Sequence, residues 1–265
     1  MYALRLRCRA DEKDWLTTQL WERGTEGITE QELPDTSWML EAFFDSKFDA
    51  RGYAVFTPVW AEHAERDWAE AWKEAWEPIS VGTRFYLVPD WRDDPAPDGR
   101  LRLTVHAGLA SGSGYQAPTQ LALEALEGSL HSHETFFDWG TGSGILASAA
   151  RLLGATRIFA CDVDHEAVRQ ARQNLRHDGV EAPLFTGTGR SLRPDCVDVL
   201  AANMNAAAIL EWHTDIARVV KPGGRIILSG FKQRRARAIE AAFFPLGFQR
   251  TAMLARDDWR CLVLS

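Results

Sequence analysis

The residues of this chain with the clearest capacity for chemistry are a glycine-crowded turn, two carboxylates at predicted strand ends and one amide. The turn reads Asp138, Trp139, Gly140, Thr141, Gly142, Ser143, Gly144. Glycines in such a turn bend the backbone sharply and let a ligand approach without meeting a Cβ. A phosphate-binding P-loop would continue Gly-Lys-Ser/Thr, but Ile145 and Leu146 follow Gly144. A nicotinamide fingerprint would carry its third glycine one place later.

Asp162 closes the next apolar run, 22 residues after Gly140. A carboxylate there has two oxygens with which to accept both hydroxyls of a ribose. Asp138, directly before the turn, would repel a pyrophosphate. It suits a cofactor that carries a positive centre and an ammonium group, and S-adenosylmethionine has both. Asn203 ends a further strand-like run, "CVDVLAAN". An amide at that edge can accept a hydrogen bond from an amine and hold it in line with a methyl donor. Among the cysteines there is no CxxC pair, and "HSHE" (131–134) lacks a second ligand group at suitable spacing, so no metal site is expected.

These residues need a scaffold. From residue 106 onward apolar runs of strand length alternate with helical segments, which implies a parallel sheet with helices on both faces. The expected strands are "TFFDW", "RIFACD", "APLFT", "CVDVLAANM" and "GRIILS". The expected helices are 117–128, 145–153, 165–177, 206–220 and 234–244, with Pro222-Gly223-Gly224 ending one helix and resetting the chain. The last two runs, "GFQRTAMLAR" and "DDWRCLVLS", are joined by a short turn and must pair antiparallel. Residues 1–57 read as a strand, a helix over 14–23 and two strands, a small α+β domain of the ferredoxin-like kind. Residues 58–105 form a connecting region. It carries a helix over 61–76, with Trp68, Trp72 and Trp76 in one stripe, and then strands. Residues 106–265 form the catalytic domain.

The chain has 265 residues, 46% of them hydrophobic, and a net charge of −7. That size suffices for a sizeable core. The charge argues against a nucleic-acid binder and is compatible with a basic protein substrate. A basic stretch at 232–240 is read as a solvated helix face, with a weak contact to ribosomal RNA as its alternative use. No apolar run approaches the ~20 residues of a membrane helix. The absence of a signal core and the scattered cysteines imply a reduced, cytoplasmic protein. A monomer is expected.

The stretch from His106 to Ser265 resembles the seven-stranded S-adenosylmethionine-dependent methyltransferases. More narrowly, almost the whole chain is similar to the PrmA family, which methylates ribosomal protein L-eleven. "ERDWAEAWKEAWEPISVGTRFYLVPDW" (65–91) matches that family's linker signature, and "GLASGSGYQAPTQLALEAL" (108–126) occupies the place of its "GxAFGTGxHxTT" segment. "DWGTGSGILASAA", "ACDVD", "ANM", "VKPGGRIILSGF" and "GFQRT…DDWRCLVL" follow in the family order.

The resemblance implies methylation of lysine or α-amino groups, an N-terminal domain that recognises the substrate, and S-adenosylmethionine as cofactor. It implies a cofactor set of Thr119, Asp138, Gly140, Thr141, Gly142, Gly144, Asp162, Val163 and Asn203, with Asn203 also catalytic. The chain departs from the family at Ser111, Gln116 and Pro118, where a phenylalanine, a histidine and the first of two threonines are expected. Pro118 has neither hydroxyl nor N–H, so a hydrogen bond to cofactor expected there is lost. Two other readings stand beside this one. One is a methyltransferase of the same ancestry with another protein or small-molecule substrate, and the other is a non-catalytic binding protein on this fold.

Overall fold

The computed structural model describes residues 2–25, 27–62, 76–106 and 114–265. The chain forms two compact units, Met1–Trp76 and Glu77–Ser265.

The first unit holds β1 (Tyr2–Cys8), α1 (Ala10–Glu22), β2 (Gly27–Glu32), β3 (Trp38–Phe44) and β4 (Val59–Glu62). Their sheet runs β2-β3-β1-β4 with every neighbour antiparallel, the ferredoxin-like order. Where that fold carries its second helix, the described chain has only a 3-10 turn, Ala50–Phe56. The sheet extends past residue 57, because β4 completes it beside β1. The first two residues of the helix expected over 61–76 therefore lie in a strand. Residues 63–75 of that helix, with Trp68 and Trp72, fall outside the described residues, and Trp76 lies in no helix. Helix α1 starts four residues earlier than expected, because the Glu12 carboxylate accepts the Arg9 N–H at 3.0 Å and satisfies its first turn. Leu16 and Leu20 on α1 pack on Leu4, Leu6 and Leu40.

The second unit begins with a three-stranded sheet, β5 (Ile79–Val81), β6 (Phe85–Pro89) and β7 (Leu101–Val105). Helix α2 (Ala117–Ser129) holds this sheet through one side chain. Both oxygens of Glu127 collect the backbone N–H groups of Thr83, Arg84 and Phe85 and the Thr83 hydroxyl at 2.9–3.3 Å.

The main sheet is built from β8 (Thr135–Trp139), β9 (Arg157–Asp162), β10 (Leu184–Thr186), β11 (Val197–Asn203), β12 (Val220–Lys232), β13 (Arg250–Arg256) and β14 (Trp259–Leu264). Its order is β10-β9-β8-β11-β12-β14-β13, parallel up to β12 and closed by the antiparallel β13–β14 pair. The expected seven-stranded layout is the one observed. Every residue of β8 is buried, as a central strand covered on both faces requires.

Helices α3 (Ile145–Leu152), α4 (His165–His177), α5 (Ala206–Val219) and α6 (Gln233–Phe243) lie between the strands along the chain. The basic stretch 232–240 thus opens α6. Pro222-Gly223-Gly224 works differently from expectation. Strand β12 already starts at Val220, opposite Val197, and its pairing resumes at Arg225 opposite Val199. The motif is a bulge inside a strand, with Gly223 at φ 75°.

Packing between the sheet and the turn after β10 is tight at Gly189. A Cβ there would collide with the Trp139 ring and come within 2.9 Å of Phe137 Cε1. Gly189→Ala is expected to destabilise the chain by about 1–3 kcal/mol. Thermal unfolding would show this as a fall of about 2–4 °C per kcal/mol.

Candidate active site

The glycine turn joins β8 to α3 at the carboxyl end of the central strand, where open α/β sheets bind ligands. Gly140, Gly142 and Gly144 all take positive φ, at 78°, 53° and 89°. Three such residues within five confine the turn to glycine. The Gly140 and Thr141 amides both donate to the Cys161 carbonyl, at 2.8 and 2.9 Å, and the Gly142 amide donates to Asp162 Oδ2 at 3.0 Å. The turn is thereby fastened to the end of β9. Gly144 caps α3, and a Cβ there would press on Leu175 of α4 at 3.3 Å.

A cavity of about 430 Å³ opens above this turn. Gly140, Thr141 and Gly142 form its floor, and Asp162 and Val163 one rim. Asn203, Met204 and Asn205 at the end of β11 face it, with Gly230 of β12 beside them. Gly230 has φ 90°, and a Cβ there would run into the Met204 backbone. Trp212 of α5 and Trp259 of β14 supply aromatic walls. Trp139 also borders the cavity, but it is 1% exposed and stacks on Trp212 with ring centroids 5.9 Å apart. At the open edge, Gln116 and Pro118 stand at the start of α2.

Of the expected site residues, Gly140, Thr141, Gly142, Asp162, Val163 and Asn203 border this cavity. Asp138, Gly144 and Thr119 do not, and each is placed to support it. Asp138 is fully buried beneath the turn, so direct contact of its carboxylate with a ligand ammonium gives way to a supporting role. Its Oδ2 accepts the Thr141 hydroxyl at 2.7 Å, and its Oδ1 makes no hydrogen bond of normal geometry among the described residues. Thr119 is also fully buried, and its hydroxyl accepts the Asn203 amide N–H at 3.1 Å. That bond uses Nδ2 and leaves Asn203 Oδ1 as the group available to a ligand. Ser229 of β12 donates to the Pro118 carbonyl at 2.8 Å. Pro118 therefore still anchors α2 to the sheet through the one polar group it keeps. Ser111 lies outside the described residues.

Sequence reasoning missed Trp212, Trp259, Asn205 and Gly230. Local sequence gave no sign of the first two, which come from a helix and a strand far apart in the chain. Gly230, two residues after the "RIIL" run, carried the only signal available, a glycine at a strand's carboxyl end.

The residues fit S-adenosylmethionine by the chemistry of their donors. The floor consists of glycines that leave a narrow, Cβ-free cradle, and a Cβ on Gly140 would come within 3.1 Å of Met204 Cε. Asp162 offers paired acceptors at the rim, and the N-terminal turn of α3 borders the cavity through Ile145 and Leu146. Among the described residues, no lysine or arginine borders the cavity to meet a phosphate.

The match to known proteins decides the family. Residues 4–265 match the model of the family described as ribosomal protein L11 methyltransferase (PrmA). The chain belongs to the PrmA family of methyltransferases. A PrmA relative from Symbiobacterium thermophilum, named ribosomal protein L11 methyltransferase, is 33% identical over 93% of this chain and 79% of its own length. One of the same name from Shewanella pealeana is 31% identical over 97% of this chain and 96% of its own. A solved PrmA-type structure, a ribosomal protein L11 methylase from Lactobacillus delbrueckii subsp. bulgaricus, superposes with a TM-score of 0.66 at 28% identity. It covers 72% of this chain and 98% of the other. No helix among the described residues is long and apolar enough to cross a membrane.

Burial pushes the Asp138 carboxyl up to about 7, with repulsion from Asp162 adding to the rise and the Thr141 hydroxyl and Ala147 amide opposing it. The unfolded chain releases this proton near 3.8, the folded chain only near 7. Between those values the folded state binds more protons than the unfolded, so stability falls as pH rises. Asp138→Asn keeps an acceptor for Thr141 and removes the titration. Melting curves of the two proteins are expected to diverge in favour of the variant from about pH 4 to pH 7 and to run parallel above.

Proposed function

We propose that this chain transfers methyl groups from S-adenosylmethionine to lysine or α-amino groups of ribosomal protein L11, in the cytoplasm. The observation that carries this reading is the shared cavity of the Gly140–Gly142 floor, the Asp162 rim and the Asn203 amide, with Thr119 fixing that amide. The family's description and the names of its relatives support L11 as the substrate.

When bound, S-adenosylmethionine supplies an activated methyl group on a positively charged sulfur. The chain's own task is then to hold, align and dry the reactants. Asp162 accepts the ribose hydroxyls while its Oδ2 stays bonded to Gly142 N–H. Asp138 lies under the floor, and a nearby cation favours its ionised form. Asn203 Oδ1 accepts an N–H of the incoming amine and turns its lone pair towards the methyl group. Such alignment can contribute roughly 7–11 kcal/mol.

The amine must first lose a proton, and a free lysine titrates near ~10.4. Entry between Trp212, Met204 and Trp259 removes water from the ammonium and lowers that value. Lys232 Nζ lies 3.7 Å from the Trp259 ring centroid, and its positive charge beside the entering amine further favours the neutral form. No side chain in the cavity has to serve as a general base, because solvent can take the proton before the amine is enclosed.

Incubation with radiolabelled S-adenosylmethionine and unmethylated ribosomal proteins is expected to label L11; an unlabelled L11 band would reject the proposed substrate. Asp162→Ala is expected to weaken cofactor binding at least about tenfold by calorimetry, given about 1.5–3 kcal/mol per hydrogen bond to a charged acceptor. Thr119→Val preserves shape and removes the hydroxyl that orients Asn203. It is expected to lower kcat while leaving the dissociation constant of the cofactor within about threefold, a shift below about 0.7 kcal/mol.

A further inference from the structure

Behind the glycine turn, beside Ser143 and Ile145, five polar side chains from separate parts of the second unit converge. His106 follows β7, Asp90 follows β6, Ser148 lies on α3, and His177 and Asp178 end α4. Ring nitrogens of His106 and His177 and an oxygen of Asp178 lie within 4.8 Å of one another. Among the described residues, no other group of three histidine, cysteine or acidic side chains converges in this way.

The surroundings are those of a prepared ligand set. His106 Nε2 lies 2.8 Å from Asp178 Oδ1, and its other ring nitrogen, Nδ1, lies 3.3 Å from Asp90 Oδ2. A carboxylate behind a histidine fixes which nitrogen is free to coordinate, and such outer partners recur at metal-bound histidines. Asp178 is fixed in the same manner: its second oxygen, Oδ2, accepts the buried Ser148 hydroxyl at 2.6 Å, which leaves Oδ1 towards His106. The side chains of His106 and Asp178 are only 10% and 11% exposed. His177 is exposed at the end of α4, and its ring lies across that of His106 with centroids 5.4 Å apart.

We infer that His106, His177 and Asp178 form a binding site for a divalent transition-metal ion, zinc by preference, with Asp90 and Ser148 as its outer support. Two imidazoles and one carboxylate are a borderline-soft set that suits zinc and disfavours magnesium and calcium, which take oxygen ligands. Zinc bonds of about 2.0–2.2 Å place tetrahedral ligands about 3.3 Å apart. The His106–Asp178 pair needs to open slightly to reach that spacing. The exposed His177 ring closes the remaining distance by rotation, and water completes the fourth position. Asp178 and Asp90 together offset the ion's charge. A metal here would tie the ends of β6 and β7 to α3 and α4. It takes no part in methyl transfer and does not depend on the reading of the glycine-turn cavity.

The test uses the full chain without a histidine tag, freed of metal with EDTA and titrated with zinc sulfate by calorimetry. One equivalent is expected to bind saturably at micromolar or lower concentration and to raise the melting temperature. His177 is exposed, so His177→Ala removes no more than its ring contact with His106 and leaves the core intact, and it should weaken binding at least about tenfold. Asp90→Asn should weaken it about 10–100-fold, the range for outer-shell partners. Circular dichroism would confirm that both variants fold. Absence of saturable uptake at 100-fold excess of zinc would overturn the inference. So would zinc binding of equal strength in His177→Ala and Asp178→Asn, which would place the ion elsewhere.

Discussion

The site rests on a turn that cannot form without positive φ at three positions, and on the carboxylate buried beneath it. Gly140 and Gly142 bend the chain back so that the Gly140 and Thr141 amides converge on Cys161 and the Gly142 amide reaches Asp162. Asp138 holds Thr141 from below, at the cost of a carboxylate that burial keeps from ionising readily. One arrangement thereby links the strand that ends at Trp139 with the strand that ends at Asp162. A Cβ at any of the three turn glycines would demand strained backbone.

A second layer of support comes from the first turn of α2. Its Pro118 carbonyl takes the Ser229 hydroxyl, and its Thr119 hydroxyl takes the Asn203 amide. These two bonds join one helix end to the ends of β11 and β12, so Asn203 faces the cavity with its carbonyl oxygen. The same helix reaches the other way through Glu127 to the turn between β5 and β6. Methyl transfer to an amine depends on alignment more than on acid–base groups. Under the proposed function, Thr119, which is buried behind Asn203, would bear on the rate through that amide alone.

The aromatic walls address a separate requirement. An amine nucleophile must be drawn out of water as it nears the methyl group. Trp212 stacks on the buried Trp139, and Trp259 already faces the Lys232 ammonium. These rings come from β8, α5 and β14, far apart in the chain, and border one cavity only because the sheet and its helices gather those elements.

While the seven-stranded layout came from the family resemblance, the sequence by itself determined a parallel sheet alternating with helices, its antiparallel closing pair, the glycine turn and the partnership of that turn with Asp162. Each of these follows from short-range patterns: strand-length apolar runs, glycines at fixed spacing, a connection too short for a crossover. It also determined the start of the ferredoxin-like unit but not its last strand, because "VWAE" reads locally as the start of a helix. Only β1, 50 and more residues earlier, offers the edge that makes it a strand. Pro222-Gly223-Gly224 likewise reads as a stop, and only pairing with β11 turns it into a bulge.

The division of labour among the site residues was beyond the sequence as well. Asp138, Thr119 and Gly144 belong to the pattern, yet they lie behind the cavity wall. Asn205, Trp212 and Trp259 line it without any local signal, and Gly230 with no more than its place at a strand's carboxyl end. His106, Asp90 and Asp178 are unremarkable in sequence and converge only where β6, β7 and α4 end together. Local spacing determines which way a segment folds. Which side chains share a cavity depends on distances between segments, and those are decided when the sheet and its helices pack.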